Sequence, residues 1–206
     1  MIAIVDYDAG NLRSVERACT SLGVRAEITP DPEVVVRAER VIFPGVGAAP
    51  ASMDVIRRRG LDEALRRALA AGTPVLGICI GAQIILERSE EGDVRCLGFI
   101  PGVTRRFRPT DPALKVPHMG WNEVTVTRPH PLLAKLGRSA YLYFVHSYYP
   151  DPSSESHVYA RAEHGVSFCC ALGKDNLFAT QFHLEKSGEV GLRVLEAFAR
   201  WDGRPC

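Results

Sequence analysis

The chain has 206 residues, 25 Lys and Arg against 24 Asp and Glu for a formal net charge of +1, and 46% hydrophobic residues. That length allows one α/β domain with a full core and is too short for two large ones. The charge balance gives no reason to expect nucleic acid or an anionic membrane as partner, and no apolar run approaches the ~18 residues that span a bilayer.

Residues 2–5 are apolar and end at Asp6 without a basic leader, so they read as a first strand rather than a signal peptide. Residues 11–22 carry Leu12, Val15, Cys19 and Leu22 at helical spacing. Residues 24–28 and 40–43 read as strands, the second stopped by Pro44-Gly45-Val46-Gly47. Residues 61–71 repeat the helical pattern, Gly72-Thr73-Pro74 breaks it, and residues 75–78 form a strand ending at Cys79. Apolar strands alternating with amphipathic helices imply βαβ units and an open, mostly parallel sheet with helices on both faces. After about Gly98 the pattern changes to short alternating segments at 103–107, 123–127, 140–145, 157–163, 166–172 and 177–182, read as antiparallel strands extending or flanking the parallel sheet. The stretches 108–112 and 150–154, rich in Pro, Asp and Ser, read as turns. Ser187 is placed to cap a last helix with Val190, Val194, Leu195, Phe198 and Trp201 along one side. One α/β domain over residues 1–206 is the expectation.

Cys19, Cys79, Cys96, Cys169, Cys170 and Cys206 form no C-x-x-C pair, and the chain is too long to need staples. They read as reduced thiols of a cytoplasmic protein. Cys79 stands apart. It follows a strand, precedes a helix and is flanked by Gly77 and Gly81, as a sharp strand–turn–helix elbow requires. Such an elbow presents the sulfur at the carboxyl end of a parallel sheet, where a helix N-terminus favours the thiolate. The Ile80 N–H is then a candidate oxyanion donor.

A second segment, Gln181-Phe182-His183-Leu184-Glu185-Lys186-Ser187, supplies a base and an orienting carboxylate. If extension continues past 182, His183 and Glu185 project to one side, where Glu185 can hold the His183 tautomer. Taken singly, a buried cysteine, a satisfied histidine and a solvated glutamate are ordinary. Their conjunction names acyl transfer by a thiolate. The glycine turn at 44–47 ends a strand on the same sheet edge, so the N–H of Val46 or Gly47 is the natural second oxyanion donor. Glycines on both sides of Val46 leave its peptide free to rotate, and a hole that is not permanently formed is the expectation. His118 and His146 lack metal-ligand spacing; no metal and no cofactor are expected.

The segment Gly77-Ile78-Cys79-Ile80-Gly81-Ala82-Gln83 and the segment at 181–187 resemble the G-x-C-x-G-x-Q and Q-F-H-P-E-x-S motifs of the class I (triad) glutamine amidotransferases. Asp6-Tyr7, Gly10-Asn11-Leu12-Arg13-Ser14, Pro44-Gly45-Val46-Gly47-Ala48, His118-Met119-Gly120-Trp121-Asn122 and Phe144-Val145-His146-Ser147-Tyr148-Tyr149 narrow the resemblance to the glutaminase subunits of imidazole glycerol phosphate synthase. The resemblance runs in order over essentially the whole chain. It implies a Cys79–His183–Glu185 triad that hydrolyses L-glutamine through a Cys79 thioester. It implies glutamine binding at Gly47, Gln83, Glu91, Ser147 and Tyr148. It also implies delivery of ammonia to a separate (β/α)₈ barrel cyclase subunit in a heterodimer, faced by Trp121, Asn122, Tyr143 and Lys186. The chain departs from the family at Leu184, usually proline, which frees φ between the catalytic pair. It departs also at Ile80 and Ala82, at Asp8, usually glycine, and at Ala49, usually aromatic. The glutaminase component of another synthase, such as anthranilate synthase, remains an alternative. A cysteine peptidase or esterase on the same elbow is weaker, and weaker still is a binding subunit without activity.

Overall fold

The computed structural model describes residues 1–204. The first half alternates strand and helix: β1 (Ile2–Val5), α1 (Leu12–Ser21), β2 (Ala26–Thr29), α2 (Pro32–Arg37), β3 (Arg40–Phe43), α3 (Ala49–Arg58), α4 (Leu61–Ala70), β4 (Val75–Ile78) and α5 (Ile80–Ile84). The second half is mainly strand: β5 (Arg88–Ser89), β6 (Val94–Arg95), β7 (Gly102–Arg106), β8 (His118–Val126), β9 (Ser139–His146), β10 (Tyr148–Pro152), β11 (Val158–Glu163), β12 (Ser167–Lys174) and β13 (Leu177–Thr180), closed by α6 (Gly188–Arg200).

Nine strands form the main sheet in the order β2-β1-β3-β4-β13-β12-β11-β8-β9. The first five run parallel, including β13, whose residues were expected among the antiparallel strands but are inserted beside β4 in parallel register, and β12, β11, β8 and β9 continue the sheet antiparallel. A four-stranded sheet, β10-β7-β5-β6, packs beside it. Successive strand residues feed opposite faces. Ile2 and Ile4 of β1 join a core with Leu12 and Val15 of α1 and Val194, Leu195 and Phe198 of α6. Ala3 and Val5 join one with Val35 of α2, Met53 of α3 and Leu65 of α4. The parallel part of the sheet is therefore covered on both sides, as the alternation of elements requires.

Several elements differ from the sequence reading. The strand expected at 24–28 starts at Ala26, because the Val24 N–H returns to the Cys19 carbonyl and closes α1. The prolines at 150 and 152 lie in β10, which pairs with β7 at the edge of the smaller sheet; an edge tolerates a residue without an N–H. Chain extension stops at Thr180, and residues 184–186 form a 3₁₀ turn, so His183 and Glu185 are brought together by a turn rather than by strand alternation. Ser187 precedes α6 but makes no side-chain cap. Its hydroxyl donates to the His183 carbonyl (2.6 Å) and accepts the Tyr143 N–H (2.9 Å), tying the turn to the open edge of β9. Cys19, Cys79, Cys96, Cys169 and Cys170 are all free and buried; Cys206 lies outside the described residues.

Candidate active site

Cys79 sits where β4 gives way to α5 with φ 56° and ψ −106°, a combination that costs roughly 1–3 kcal/mol and persists only where packing imposes it. Gly77 and Gly81 make that packing possible. A Cβ on Gly77 would lie 2.9 Å from the Ala179 Cβ, and one on Gly81 would overlap the Phe43 carbonyl. The elbow is pinned to β13 by a 2.7 Å bond from the Cys79 N–H to the Thr180 carbonyl. At the first position of α5 the Ile80 N–H has no intrahelical acceptor.

His183 lies at the end of β13's continuation, buried with 1% of its side chain exposed. Its Nδ1 is 2.6 Å from Glu185 Oε1. A carboxylate only accepts, so Nδ1 carries the proton. Nε2 makes no hydrogen bond, and it is the ring nitrogen left to serve the sulfur. Burial disfavours the imidazolium, but interaction with the neighbouring Cys79 and with Glu185 outweighs it and raises His183 to about 10. Glu185 is likewise opposed by burial, yet the His183 hydrogen bond and charge, its own backbone and the Asn11 amide hold it below the usual carboxylate range. The arrangement favours an imidazolium held between Cys79 and the Glu185 carboxylate. Leu184 is fully buried at the first position of the 3₁₀ turn. The Tyr143 and Ser187 bonds hold the turn, so the His–Glu contact forms without a proline there.

Asn11 was not singled out as a site residue from sequence. It holds a left-handed conformation (φ 75°) ahead of α1, and its Nδ2 donates to Glu185 Oε1. Nothing local marks this contact, since the two residues are 174 positions apart. Tyr7 is a second such residue. Its buried hydroxyl donates to the Pro44 carbonyl at 2.6 Å, and a Cβ on Gly45 would overlap that hydroxyl. Tyr7 therefore fixes the start of the glycine loop. Asp8, with φ 63°, occupies a conformation glycine favours and is held there by both carboxylate oxygens on the Arg59 guanidinium (2.7 and 2.8 Å).

Cys79, Ile80, Val46, Gly47, Gln83, Glu91, Pro117, Val145, His146, Ser147 and Tyr148 line one cavity of about 270 Å³. All the residues expected to bind glutamine and to donate to an oxyanion meet here. Gln83 spends both Nε2 hydrogens, on the Tyr148 carbonyl (2.8 Å) and on Gln181 Oε1 (3.1 Å), so its carbonyl oxygen is the group left for a ligand. Glu91 accepts the Ala49 N–H through Oε2 at 2.7 Å, keeping its other oxygen. The Val46 carbonyl accepts the Gly10 N–H at 3.4 Å. In a trans peptide C=O and N–H point opposite ways, so the Gly47 N–H is turned away from Gly10. A larger cleft of about 350 Å³, between Val126 and Arg138, contains none of these residues.

The four residues expected to face a partner divide. Trp121 of β8 and Tyr143 of β9 are paired in register with rings 6.2 Å apart, and Lys186 Nζ lies 5.9 Å from the Tyr143 ring. Asn122 points to the other face. Its amide is committed to the Glu163 carbonyl, to His118 and to the Glu123 N–H. Met119 (64% exposed), Trp121 (56%) and Tyr141 (61%) make the β8–β9 face unusually apolar for open surface.

The chain matches the family described as glutamine amidotransferase class-I over residues 3–200. It is 51% identical to the imidazole glycerol phosphate synthase subunit HisH of Nitratidesulfovibrio vulgaris (strain DP4), covering 98% of this chain and 96% of that protein. It is 44% identical to the HisH subunit of Chromobacterium violaceum, covering 98% of each. Among solved structures it resembles a glutamine amidotransferase (TM-score 0.74, 19% identity, covering 96% of this chain and 98% of that one). It also resembles PurLQS from Thermotoga maritima (TM-score 0.76, 17% identity, 97% of each). At those identities the structural likeness speaks to the fold alone.

Proposed function

The chain belongs to the class-I glutamine amidotransferases, among the HisH subunits of imidazole glycerol phosphate synthase, and from that premise we propose how it works as the glutaminase of histidine biosynthesis. Cys79 attacks the side-chain amide carbon of L-glutamine. The developing oxyanion is held by the Ile80 N–H and by an N–H of the Val46–Gly47 turn, each donor worth ~10²–10³ in rate. The His183 imidazolium protonates the departing ammonia, leaving a Cys79 thioester and a neutral ring. Nε2 then takes a proton from water, which attacks the thioester and releases glutamate. Glu185 keeps the proton on Nδ1 throughout, so Nε2 always faces the chemistry. Gln83 and Glu91 hold the amino-acid end of the substrate, with Gly47 and the Ser147 and Tyr148 backbone beside it.

The observation that carries this reading is the single free ring nitrogen. His183 spends Nδ1 on Glu185 and keeps Nε2 without a hydrogen-bond partner, while Cys79 lines a cavity sized for a small polar ligand. The ammonia acceptor is a (β/α)₈ barrel cyclase subunit, docked in a heterodimer over the apolar β8–β9 face with Trp121, Tyr143 and Lys186 at its centre. Glutamine and the cyclase are the only partners this chemistry requires. Free buried thiols suit a cytoplasmic location, and among the described residues no helix is long and apolar enough to cross a membrane. The test is glutaminase turnover with and without a purified cyclase subunit and its nucleotide ligand. Ammonia release from free glutamine that rises on adding the cyclase is the expected result. Stimulation by the anthranilate-forming partner instead would reassign the subunit.

A further inference from the structure

Behind the substrate cavity, buried side chains form one directional hydrogen-bond chain that no step of the reaction uses. At its inner end His146 Nδ1 lies 2.8 Å from the Tyr148 carbonyl oxygen. A carbonyl only accepts, so this Nδ1 is protonated and His146 Nε2 is an acceptor. His118 Nδ1 is 2.9 Å from that Nε2 and must donate to it. His118 Nε2 is therefore also an acceptor, and Asn122 Nδ2 faces it at 3.2 Å. The orientation of the Asn122 amide is fixed independently. Its other Nδ2 hydrogen goes to the Glu163 carbonyl (2.8 Å) and its oxygen accepts the Glu123 N–H (2.8 Å). Both ends thus dictate the same polarity.

The chain continues past the carbonyl. The same Tyr148 oxygen accepts from Gln83 Nε2, Gln83 Nε2 also donates to Gln181 Oε1, and Gln181 Nε2 lies 3.7 Å from the Cys79 sulfur. At the outer end, Asn122 is the strand neighbour of exposed Trp121 on β8.

We propose that His118 and His146 are positioning residues, a relay of neutral imidazoles that carries the placement of strand β8 at Asn122 to the Tyr148 carbonyl and, through Gln83 and Gln181, to Cys79. This rests on the glutaminase reading of the site and names how the docked face governs it. Burial, with neighbouring imidazoles, holds His118 at about 4 and His146 at about 3, so neither ring charges near neutral pH. Phe107, Phe144 and Phe168 surround the pair, and His164 stacks on His118 at 4.3 Å. Close packing of this kind transmits displacement rather than absorbing it. Reversing the polarity would aim a ring lone pair at the Tyr148 carbonyl, so the relay has one setting and passes on position, not protons.

Two measurements test it. In the wild-type chain, nitrogen NMR of the imidazoles at neutral pH should show both histidines as the Nδ1–H tautomer; an Nε2–H tautomer or a charged ring at either position overturns the relay. In the complex with the cyclase subunit, His118→Phe keeps a ring in the aromatic cage and removes both hydrogen bonds. It should lower kcat/KM for glutamine about tenfold, the usual rate equivalent of one lost hydrogen bond, while ammonia-dependent synthesis by the same complex stays at the wild-type rate. Wild-type use of glutamine by His118→Phe, or an equal loss with ammonia, contradicts the proposal. If the variant does not fold, the tautomers decide alone. A wild-type complex without glutaminase activity would instead strike at the glutaminase reading, and the tautomer measurement would be untouched by it.

Discussion

Asn11→Gly isolates the contribution of one amide to the His183–Glu185 pair. Asn11 holds φ 75° and ψ 5°, a conformation glycine adopts freely and a Cβ-bearing residue only at roughly 1–2 kcal/mol. The substitution therefore removes the side chain without straining the backbone. What is lost is the Nδ2 bond to Glu185 Oε1. Hydrogen bonds to charged groups are worth about 1.5–3 kcal/mol. No neighbour replaces it, because the other carboxylate oxygen, Oε2, already lacks a partner. If that energy is expressed where the His183 ring must stay oriented, kcat/KM for glutamine falls roughly 10- to 100-fold, at 1.36 kcal/mol per decade. The assay is glutaminase turnover in the two-subunit complex, with ammonia-dependent synthesis as the control for docking. Asn11→Ala should show the same kinetic loss and, in addition, a lower Tm from the backbone term. Asn11→Gly turning over glutamine at the wild-type rate would refute the idea that the amide holds the Glu185 carboxylate in place for the reaction.

Three further outcomes follow from the same geometry. Because His183 is raised from 6.5 to about 10, its stabilising contribution is complete below pH 6.5 and is lost as pH rises through 10. Cys79→Ser removes one cause of the raise, so its thermal stability should decline less steeply than wild type over that window; parallel curves would count against Cys79 helping to raise His183. Tyr7→Phe leaves the buried Pro44 carbonyl unpaired and should cost about 1–3 kcal/mol in urea unfolding, with a loss of glutaminase activity larger than the loss of fold, since the loop it anchors carries Val46 and Gly47. Gly81→Ala drives a Cβ into the Phe43 carbonyl and should destabilise by at least the ~1–3 kcal/mol typical of overpacking, visible as a lower urea midpoint with an unchanged slope.

The strands β1, β3 and β4 were legible as short apolar runs and the helices α1, α4 and α6 by their apolar period; β13 was not, since residues 177–182 read as antiparallel and only the fold pairs them parallel with β4. The helix α2 was not: at six residues it is too short for a period, and Val34-Val35-Val36 reads as strand. The helix α3 carries a usable signal, Ala49, Met53 and Ile56 buried at helical spacing, but it begins at the glycine loop and contains Pro50, which obscure it. The nucleophile elbow could be read from Gly77 and Gly81, since only close backbone approach explains both. The relation of His183 to Glu185 was reached for the wrong local reason, a continued strand where the chain makes a 3₁₀ turn. Asn11, Tyr7 and the His118–His146 contact were invisible, because each is a pairing across the fold that no local pattern encodes. The scattered spacing of His118 and His146 spoke only against metal; their direct contact needed the β8–β9 register, which puts the two opposite each other.

The most direct test of the account is Cys79→Ala in complex with the cyclase subunit, assayed for product formation with glutamine and, separately, with ammonia. The account predicts that glutamine no longer supports synthesis while ammonia does so at the wild-type rate. Synthesis from glutamine at an undiminished rate would contradict it.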